Sequence, residues 1–450
     1  HAVGRGIGGV TSVLGISAFY HDAAAAVVRD GEIVAAAQEE RFSRRKHDPS
    51  FPREAAEYCL RESGLEVDEL SAVAFYEKPW IKFERILMTS LAAAPGGVRA
   101  YLRAMPLWLK QKLWTHRVLR DELGWGGEIV FPEHHESHAA SAFAPSPFRR
   151  SAVLTLDGVG EWATGSWGRA DRSGLDLRRE LRFPHSLGLL YSAFTAYLGF
   201  RVNSGEYKMM GLAPYGDPTY ADVILDEVVD LRPDGSLRLD LDFFRYHRGL
   251  QMTSGRFHDL FGGAPRDPDG EITRRHMDVA RSIQAVTEEA IVRMARHVRE
   301  ETGERNLCMA GGVALNSVAN GKLARSGLFD RLWIQPAAGD AGGAVGAAFV
   351  AWRRAAGEGA EPPHLEEGVD GQRASVLGPA FSGERIEAWL RDEGIPHRRL
   401  APDAAVEAAA DHLARGRVVG WFQGRMEYGP RALGSRSILA DPRDPEMQSV

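Results

Sequence analysis

Short runs of apolar residues, spaced by polar turns, dominate the start of the chain. Residues 13–17 and 23–28 read as buried strands, and Asp30-Gly31 turns the second into a third run at 33–37. Asp-Gly between apolar runs is a strong hairpin signal, because both turn positions favour positive φ. The pattern recurs further along. An apolar run through Val153 and Leu156 ends at Asp157-Gly158, turns through Gly160 and returns from Ala163 to Trp167. Two halves that each open with a strand, a glycine turn and a hairpin predict an α/β, duplicated, two-lobed nucleotide-binding fold.

Helical periodicity fills the intervals. Over residues 277–300, Val279, Ile283, Val286, Ala290, Met294 and Val298 recur at the spacing of one helix face, opposite a charged face. A buried strand follows at 307–309, and Gly311-Gly312 then turns the chain toward another helix through Asn316. A Gly-Gly at such a turn lets backbone amides approach a phosphate, although it also serves simply to pack helix on sheet. Residues 203–216 are too glycine-interrupted for a regular element and too apolar for a solvated linker. An ordered loop lining a cleft is expected there, with Glu206 and Lys208 either in the site or in a structural ion pair.

Between 355 and 378 the composition shifts to Gly, Glu, Pro and Asp, which predicts a linker between a domain at 11–354 and a second at 379–450. In the second, helices are expected at 385–392 and 403–414 and a strand at 417–422. The next segment places three arginines, Arg425, Arg431 and Arg436, among three glycines within thirteen residues. Guanidinium forks match phosphate oxygens and glycines permit close approach, so a polyphosphate or acyl phosphate is the natural guest.

Composition narrows the function. With 55 basic and 61 acidic residues the net charge is -6, so no global field recruits nucleic acid or an anionic membrane. The two cysteines, Cys59 and Cys308, each lie in apolar surroundings and read as reduced core thiols of a cytoplasmic protein. No apolar run approaches the roughly 18 residues of a membrane span. Residues 1–10 begin without Met and look like processing sequence, and the chain breaks off at Val450 without a closing element.

The candidate chemistry centres on the run His134-His135-Glu136-Ser137-His138. On a helix, His134 and His138 stand one turn apart and project two imidazoles from one face, as a divalent metal requires. Two ligands do not make a site, and an isolated pair of this spacing is more often two satisfied histidines. Asp340, in a glycine-rich stretch about 200 residues on, is a second acidic landmark. A basic run, Arg41 to His47, follows the first hairpin; its commonest meaning is a solvated face, but His21-Asp22 lies just before the neighbouring strand.

Taken together these segments resemble the NodU/CmcH-type O-carbamoyltransferases of natural-product and nodulation-factor biosynthesis. The likeness is carried by VLGISAFYHDAAA (13–25), EERFSRRKH (39–47), HHESHAASAF (134–143), YKMMGLAPYG (207–216), AGGVALN (310–316) and GPRALGSRSILADPR (429–443), in family order from about residue 11 to the end. The resemblance implies an actin-like ATPase domain followed by a smaller YrdC-like α/β domain, the latter incomplete at Val450. It further implies that carbamoyl phosphate and ATP give carbamoyl-AMP, from which the carbamoyl group passes to a hydroxyl of a secondary metabolite. By the same likeness His134, His138, Asp157 and Asp340 hold a divalent metal, expected to be Fe(II), and His21 and Lys46 serve the reacting carbonyl. Gly311, Gly312 and Asn316 cradle the nucleotide, while Arg425, Arg431 and Arg436 bind carbamoyl phosphate and ATP phosphates. A homodimer is compatible with this reading. The acceptor pocket is expected from residues 79–125. A tRNA threonylcarbamoyl transferase shares the metal site, but the net charge and the appended Arg-rich domain argue against a nucleic-acid partner. A nucleotide-binding regulator without catalysis is the alternative from another class.

Overall fold

The computed structural model describes residues 10–94, 112–171, 173–357, 360–367 and 369–449, with Leu102, Met105, Pro106 and Trp108. The opening three strands are β1 (Ser12–Ser17), β2 (Ala24–Arg29) and β3 (Glu32–Gln38), joined as antiparallel ladders. Asp30 and Gly31 both take positive φ, 49° and 84°, as the tight hairpin requires. After the helix Arg53–Ser63 the chain returns as β4 (Ala72–Phe75), parallel to β1, and β5 (Ile129–Val130) adds an edge. The sheet order is β3-β2-β1-β4-β5.

The second half repeats this plan. β6 (Arg150–Leu156), β7 (Ala163–Asp171) and β8 (Gly174–Arg182) are antiparallel neighbours, and a small ribbon of β9 (Val229–Leu231) and β10 (Leu237–Leu239) is inserted next. β11 (Asn306–Ala310) and β12 (Arg331–Ile334) then join parallel to β6, giving the order β12-β11-β6-β7-β8. Three hairpin strands followed by two parallel ones, in the same spatial order, is the duplication that the sequence pattern predicts. β1 and β6 are central and covered on both faces, which is why they read as continuous apolar runs. The helix Arg274–Thr302 buries its predicted stripe, Val279 through Val298, against the second sheet.

Two helices cross between the halves. The helix Asp340–Ala356 packs on β1, β2 and β4 of the first sheet, although it follows the second in sequence; the helix His134–Phe143 follows the first sheet and packs on β11 and β6. They also pack on each other at very close range. A Cβ on Gly346 would lie 1.8 Å from the Ser137 carbonyl oxygen, and one on Gly15 would lie 1.9 Å from that of Ala344.

One expectation is corrected. Residues 203–216 are not a loop: Glu206–Leu212 is a helix, continued by a 3-10 turn at Ala213–Tyr215. Gly205 precedes that helix, Gly211 faces open space, and Glu206 folds back to accept from the Asn203 and Gly205 amides and from Ser192 Oγ rather than pairing with Lys208. Within 355–378, Leu365, Gln372, Ser375 and Leu377 are buried and the Leu377 carbonyl accepts from Tyr58 Oη and the Ala36 amide. The portion after Pro379 docks on the first domain. Its helices Gly383–Asp392 and Pro402–Ala414 and its pair β13 (Val419–Phe422) and β14 (Arg436–Leu439) stand at the surface, but residues 426–429 insert into the first domain's interior.

Candidate active site at the junction of the two halves

The crossing helices bring distant side chains together. His134 and His138 lie one turn apart on a helix opened by a capping box, in which Glu133 and Glu136 each bind the other's amide. Asp340 opens the other crossing helix, where the helix dipole favours its negative charge. Asp157 follows the end of β6. His134 Nε2 lies 3.0 Å from His138 Nε2, 3.2 Å from Asp157 Oδ2 and 3.6 Å from Asp340 Oδ1. His138 Nε2 stands 3.8 Å from Asp157 Oδ2 and 3.9 Å from Asp340 Oδ1.

Two imidazoles and two carboxylates, their four donor atoms all within 4.8 Å of one another, form a mixed nitrogen–oxygen cluster. Such separations suit donors sharing one ion at about 2.1 Å. The two imidazole nitrogens face each other across 3.0 Å, close enough to share a proton or to bind one cation together. The residues therefore fit a divalent metal. His135, the remaining histidine of the run, does not join them. Its Nδ1 lies 2.8 Å from Thr155 Oγ1 and 3.1 Å from Ser166 Oγ, and burial beside His134 and His138 pushes it down to about 3, so it is a neutral core histidine.

Burial opposes ionisation of Asp157, but the two imidazoles outweigh it and hold the carboxyl well below its usual range. Burial likewise works against a charge on His134, and the Asp157 and Glu77 carboxylates overcome it. The two oxygens of Asp157 divide their work: Oδ2 faces the histidines and Oδ1 accepts from the Gly312 amide at 2.9 Å. Gly311 makes that approach feasible. Its φ is 89°, and a Cβ there would lie 2.2 Å from the Leu156 carbonyl. Asn316 caps the helix Ser317–Arg325 through the Ala319 amide and exchanges hydrogen bonds with Gln284, so its amide is already engaged.

His21 reaches the cluster from the loop after β1. Its Nε2 is 3.8 Å from Asp340 Oδ2 and its Nδ1 is 2.9 Å from Asp22 Oδ2. Burial opposes its charge, but Asp340 and Asp22 prevail and raise it to about 9. Asp22 also holds His47 Nδ1 at 2.7 Å, and Phe19, Asp22 and His47 all have positive φ, a conformation that costs non-glycine residues on the order of 1 kcal/mol or more each. Lys46 does not join this group: it is exposed, with Nζ 5.6 Å from the centroid of Tyr207.

The arginines of the C-terminal segment dock on the first domain. Arg431 donates to the Leu315 carbonyl beside the Gly-Gly turn, and Arg425 pairs with Glu62 and Tyr58. Arg436 pairs with Glu427 and donates to the Gly429 carbonyl, which also accepts from Arg41. Tyr428 is buried and its hydroxyl donates to the Ala341 carbonyl in the first turn of the Asp340 helix.

Sequence reasoning missed Glu77 and Lys82. Glu77 Oε2 is 3.4 Å from His134 Nδ1 and 2.6 Å from Lys82 Nζ, all three groups being buried. Burial opposes the Glu77 charge, but Lys82 and His134 bring it down to about 2. A carboxylate behind a metal-facing imidazole fixes its ring orientation. The available signal was an acidic residue two positions past the end of a buried parallel strand.

Comparison with known proteins bears on the same residues. The description of the carbamoyltransferase N-terminus matches residues 12–349, and that of the carbamoyltransferase C-terminus matches 410–450. An uncharacterised Synechocystis protein, sll1178, is 52% identical over 98% of this chain and 73% of its own. Nodulation protein NolNO of Sinorhizobium fredii is 37% identical over 94% of this chain, and NolO of Bradyrhizobium diazoefficiens 41% over 70%. The chain spans 59% and 54% of those two nodulation proteins. Solved structures align only distantly: HypF of T. kodakarensis covers 80% of this chain and 48% of its own at 15% identity and a TM-score of 0.36. No helix among the described residues is long and apolar enough to cross a membrane.

Proposed function

Because the chain belongs to the carbamoyltransferase family, we propose that it acts as an ATP-dependent O-carbamoyltransferase of actin-like ATPase architecture, with a YrdC-like region after it. The observation that carries this reading is the convergence of His134, His138, Asp157 and Asp340, drawn from both halves, with His21 against Asp340. An alcohol is a weak nucleophile and a carbamate anion a poor electrophile, so the acyl group must first gain a good leaving group. Water releases phosphate from carbamoyl phosphate, and an oxygen of the resulting carbamate attacks the α-phosphorus of ATP, displacing pyrophosphate. Arg425, Arg431 and Arg436 offer the guanidinium groups that this step needs around its phosphates.

In the transfer step the acceptor oxygen bonds to the carbamoyl carbon, the bond to the AMP oxygen breaks, the hydroxyl proton leaves with the AMP phosphate, and the charged His21 donates from Nε2 to the carbamoyl oxygen. His134, His138, Asp157 and Asp340 would hold a divalent cation, Fe(II) in this reading, which when bound would supply Lewis-acid polarisation of a carbonyl and positive charge for a phosphate leaving group. Gly311 and Gly312, at the turn beside Asp157, are given to the nucleotide in this reading. Lys46, exposed over Tyr207, supplies a mobile charge for phosphate. The acceptor is a hydroxyl of a secondary metabolite.

Incubation with carbamoyl phosphate, ATP and Fe(II) tests the reading, with pyrophosphate and carbamoyl-AMP followed by mass spectrometry. Both products are expected, and the absence of both overturns the activation step. His21→Asn is expected to form carbamoyl-AMP and fail to transfer it. Equal loss of both steps removes the role given to His21.

A further inference from the structure

Beside the ligand cluster lies a group of cations that no step above uses. Lys82 and Arg85 fall on the same face of the helix Pro79–Ala92 and are both buried, Arg85 to 7% exposure. Lys112 is half-buried opposite them, with Nζ 5.0 Å from the Trp108 centroid and 5.8 Å from that of Tyr20, the residue before His21. Lys82 Nζ is 5.0 Å from the same Tyr20 ring. Arg85 lies over Phe183, 5.0 Å from its centroid, and its Nε is buried without a hydrogen-bond partner. Among the described residues Glu77 is the carboxylate in ion-pair contact with this group, and it faces Lys82 alone.

A buried guanidinium without an ionic partner is costly, and proteins retain such groups where a ligand completes them. The charge balance points the same way. Three cations against one contacting carboxylate leave a surplus of two positive charges, and burial together with the neighbouring Lys82 pushes Lys112 down to about 8, the mark of a crowded positive site. The cations reach the cluster through Tyr20–His21 and through Glu77 at His134. The Gly311–Gly312 turn reaches it by a different route, through Asp157.

We propose that Lys82, Arg85 and Lys112 bind a dianionic group, a phosphate or a sulfate, carried by the hydroxyl compound that accepts the carbamoyl group. The acceptor assignment rests on the carbamoyl-transfer reading, while the anion site itself does not. Seated there, the anion ties the acceptor beside His21 with its hydroxyl toward the reacting carbon, and neutral alcohols are excluded because they leave the cations unpaired.

Inorganic sulfate is the probe, titrated calorimetrically into the wild-type chain, Arg85→Met and Lys112→Met, each with and without AMP. Sulfate is expected to bind the wild type, to raise its melting temperature, and to bind either variant at least about tenfold more weakly, the effect of losing one charge-assisted contact. Arg85→Met without sulfate is expected to melt no lower than the wild type, since a buried unpaired charge has been removed. Lys112→Met, on a half-buried side chain, keeps the test alive if Arg85→Met fails to fold. Equal sulfate affinity in wild type and variants overturns the anion site. Displacement of sulfate by AMP overturns the acceptor assignment and gives the cations to the nucleotide. Pyrophosphate release, read separately on the wild type, reports on the carbamoyl-transfer reading alone.

Discussion

Replacing Gly346 with alanine tests whether the two crossing helices form one frame for the cation ligands. The new Cβ would stand 1.8 Å from the Ser137 carbonyl oxygen, 2.7 Å from its carbon and 3.0 Å from the Ser141 amide nitrogen, all backbone atoms that no rotamer change can move. Ordinary contact begins near 3.4 Å, so the helices must part by about 1.6 Å at this level. Ser137 sits between His134 and His138, and Gly346 is on the helix that Asp340 opens, so the displacement falls between ligands. A metal site tolerates about 0.2 Å in its bond lengths. Affinity should therefore fall by at least the 10- to 100-fold typical of losing an outer-shell partner, and overpacking should cost roughly 1–3 kcal/mol of stability. Calorimetric titration with Co(II) and Fe(II), beside urea unfolding of the metal-free protein, measures both. Gly383→Ala is the control, at the start of an exposed helix with nothing near the added carbon. If Gly346→Ala binds the cation within about threefold of wild type, a factor worth well under 1 kcal/mol, then the close helix contact does not set the ligand geometry.

Glu77→Gln should weaken cation binding by roughly tenfold or more through loss of the charge behind His134, while leaving Lys82 buried without its carboxylate; Co(II) titration and a lowered melting temperature report the two effects. Tyr428→Phe deletes the hydrogen bond to the Ala341 carbonyl and should cost about 1 kcal/mol by urea unfolding, with faster proteolysis in the C-terminal segment than in wild type. Lys112 titrates at about 8 in the folded chain because burial and Lys82 oppose its charge against the weaker pull of Glu77 and Asp340, and near its usual value when unfolded. Between those two points the unfolded chain holds the extra proton, so stability should rise with pH from about 8 toward 10 while sulfate affinity falls, and Lys112→Met should flatten both slopes.

The duplicated strands were legible because each central strand is apolar on both faces and each hairpin turn needs residues that accept positive φ. The imidazole pair was legible for a similar reason: helical spacing alone puts His134 and His138 on one face and turns His135 away. Asp157 and Asp340 were not readable from spacing, since what brings them together is a crossing of helices between sheets, and only the family motifs connected them to the histidines. One misreading came from composition. Glycine content suggested a loop at 203–216, but Gly205 lies outside the helix and Gly211 on its open side, where neither breaks a turn. Gly, Glu and Pro suggested a linker at 355–378, where the few apolar and amide side chains are the ones that bury. Glu77 and Lys82 stayed hidden because a paired acid and base in sequence look like surface until the fold encloses them.

The placement of residues 426–431 explains why a motif far from the histidines in sequence bears on their site. Tyr428 is anchored on the Ala341 carbonyl, one residue beyond Asp340, and Arg431 on the Leu315 carbonyl, at the end of the turn whose Gly312 holds Asp157. Gly429 is packed so tightly on Pro336 that a Cβ would lie 2.8 Å from its carbonyl oxygen. The segment thus braces the backbone behind both carboxylate ligands. Arg436, on the same segment, shares the Gly429 carbonyl with Arg41, whose strand–helix corner leads to His47 and so, through Asp22, to His21. Any displacement of the arginine-bearing segment is therefore felt by Asp340, Asp157 and His21 together, through three short chains of hydrogen bonds rather than through a flexible tether.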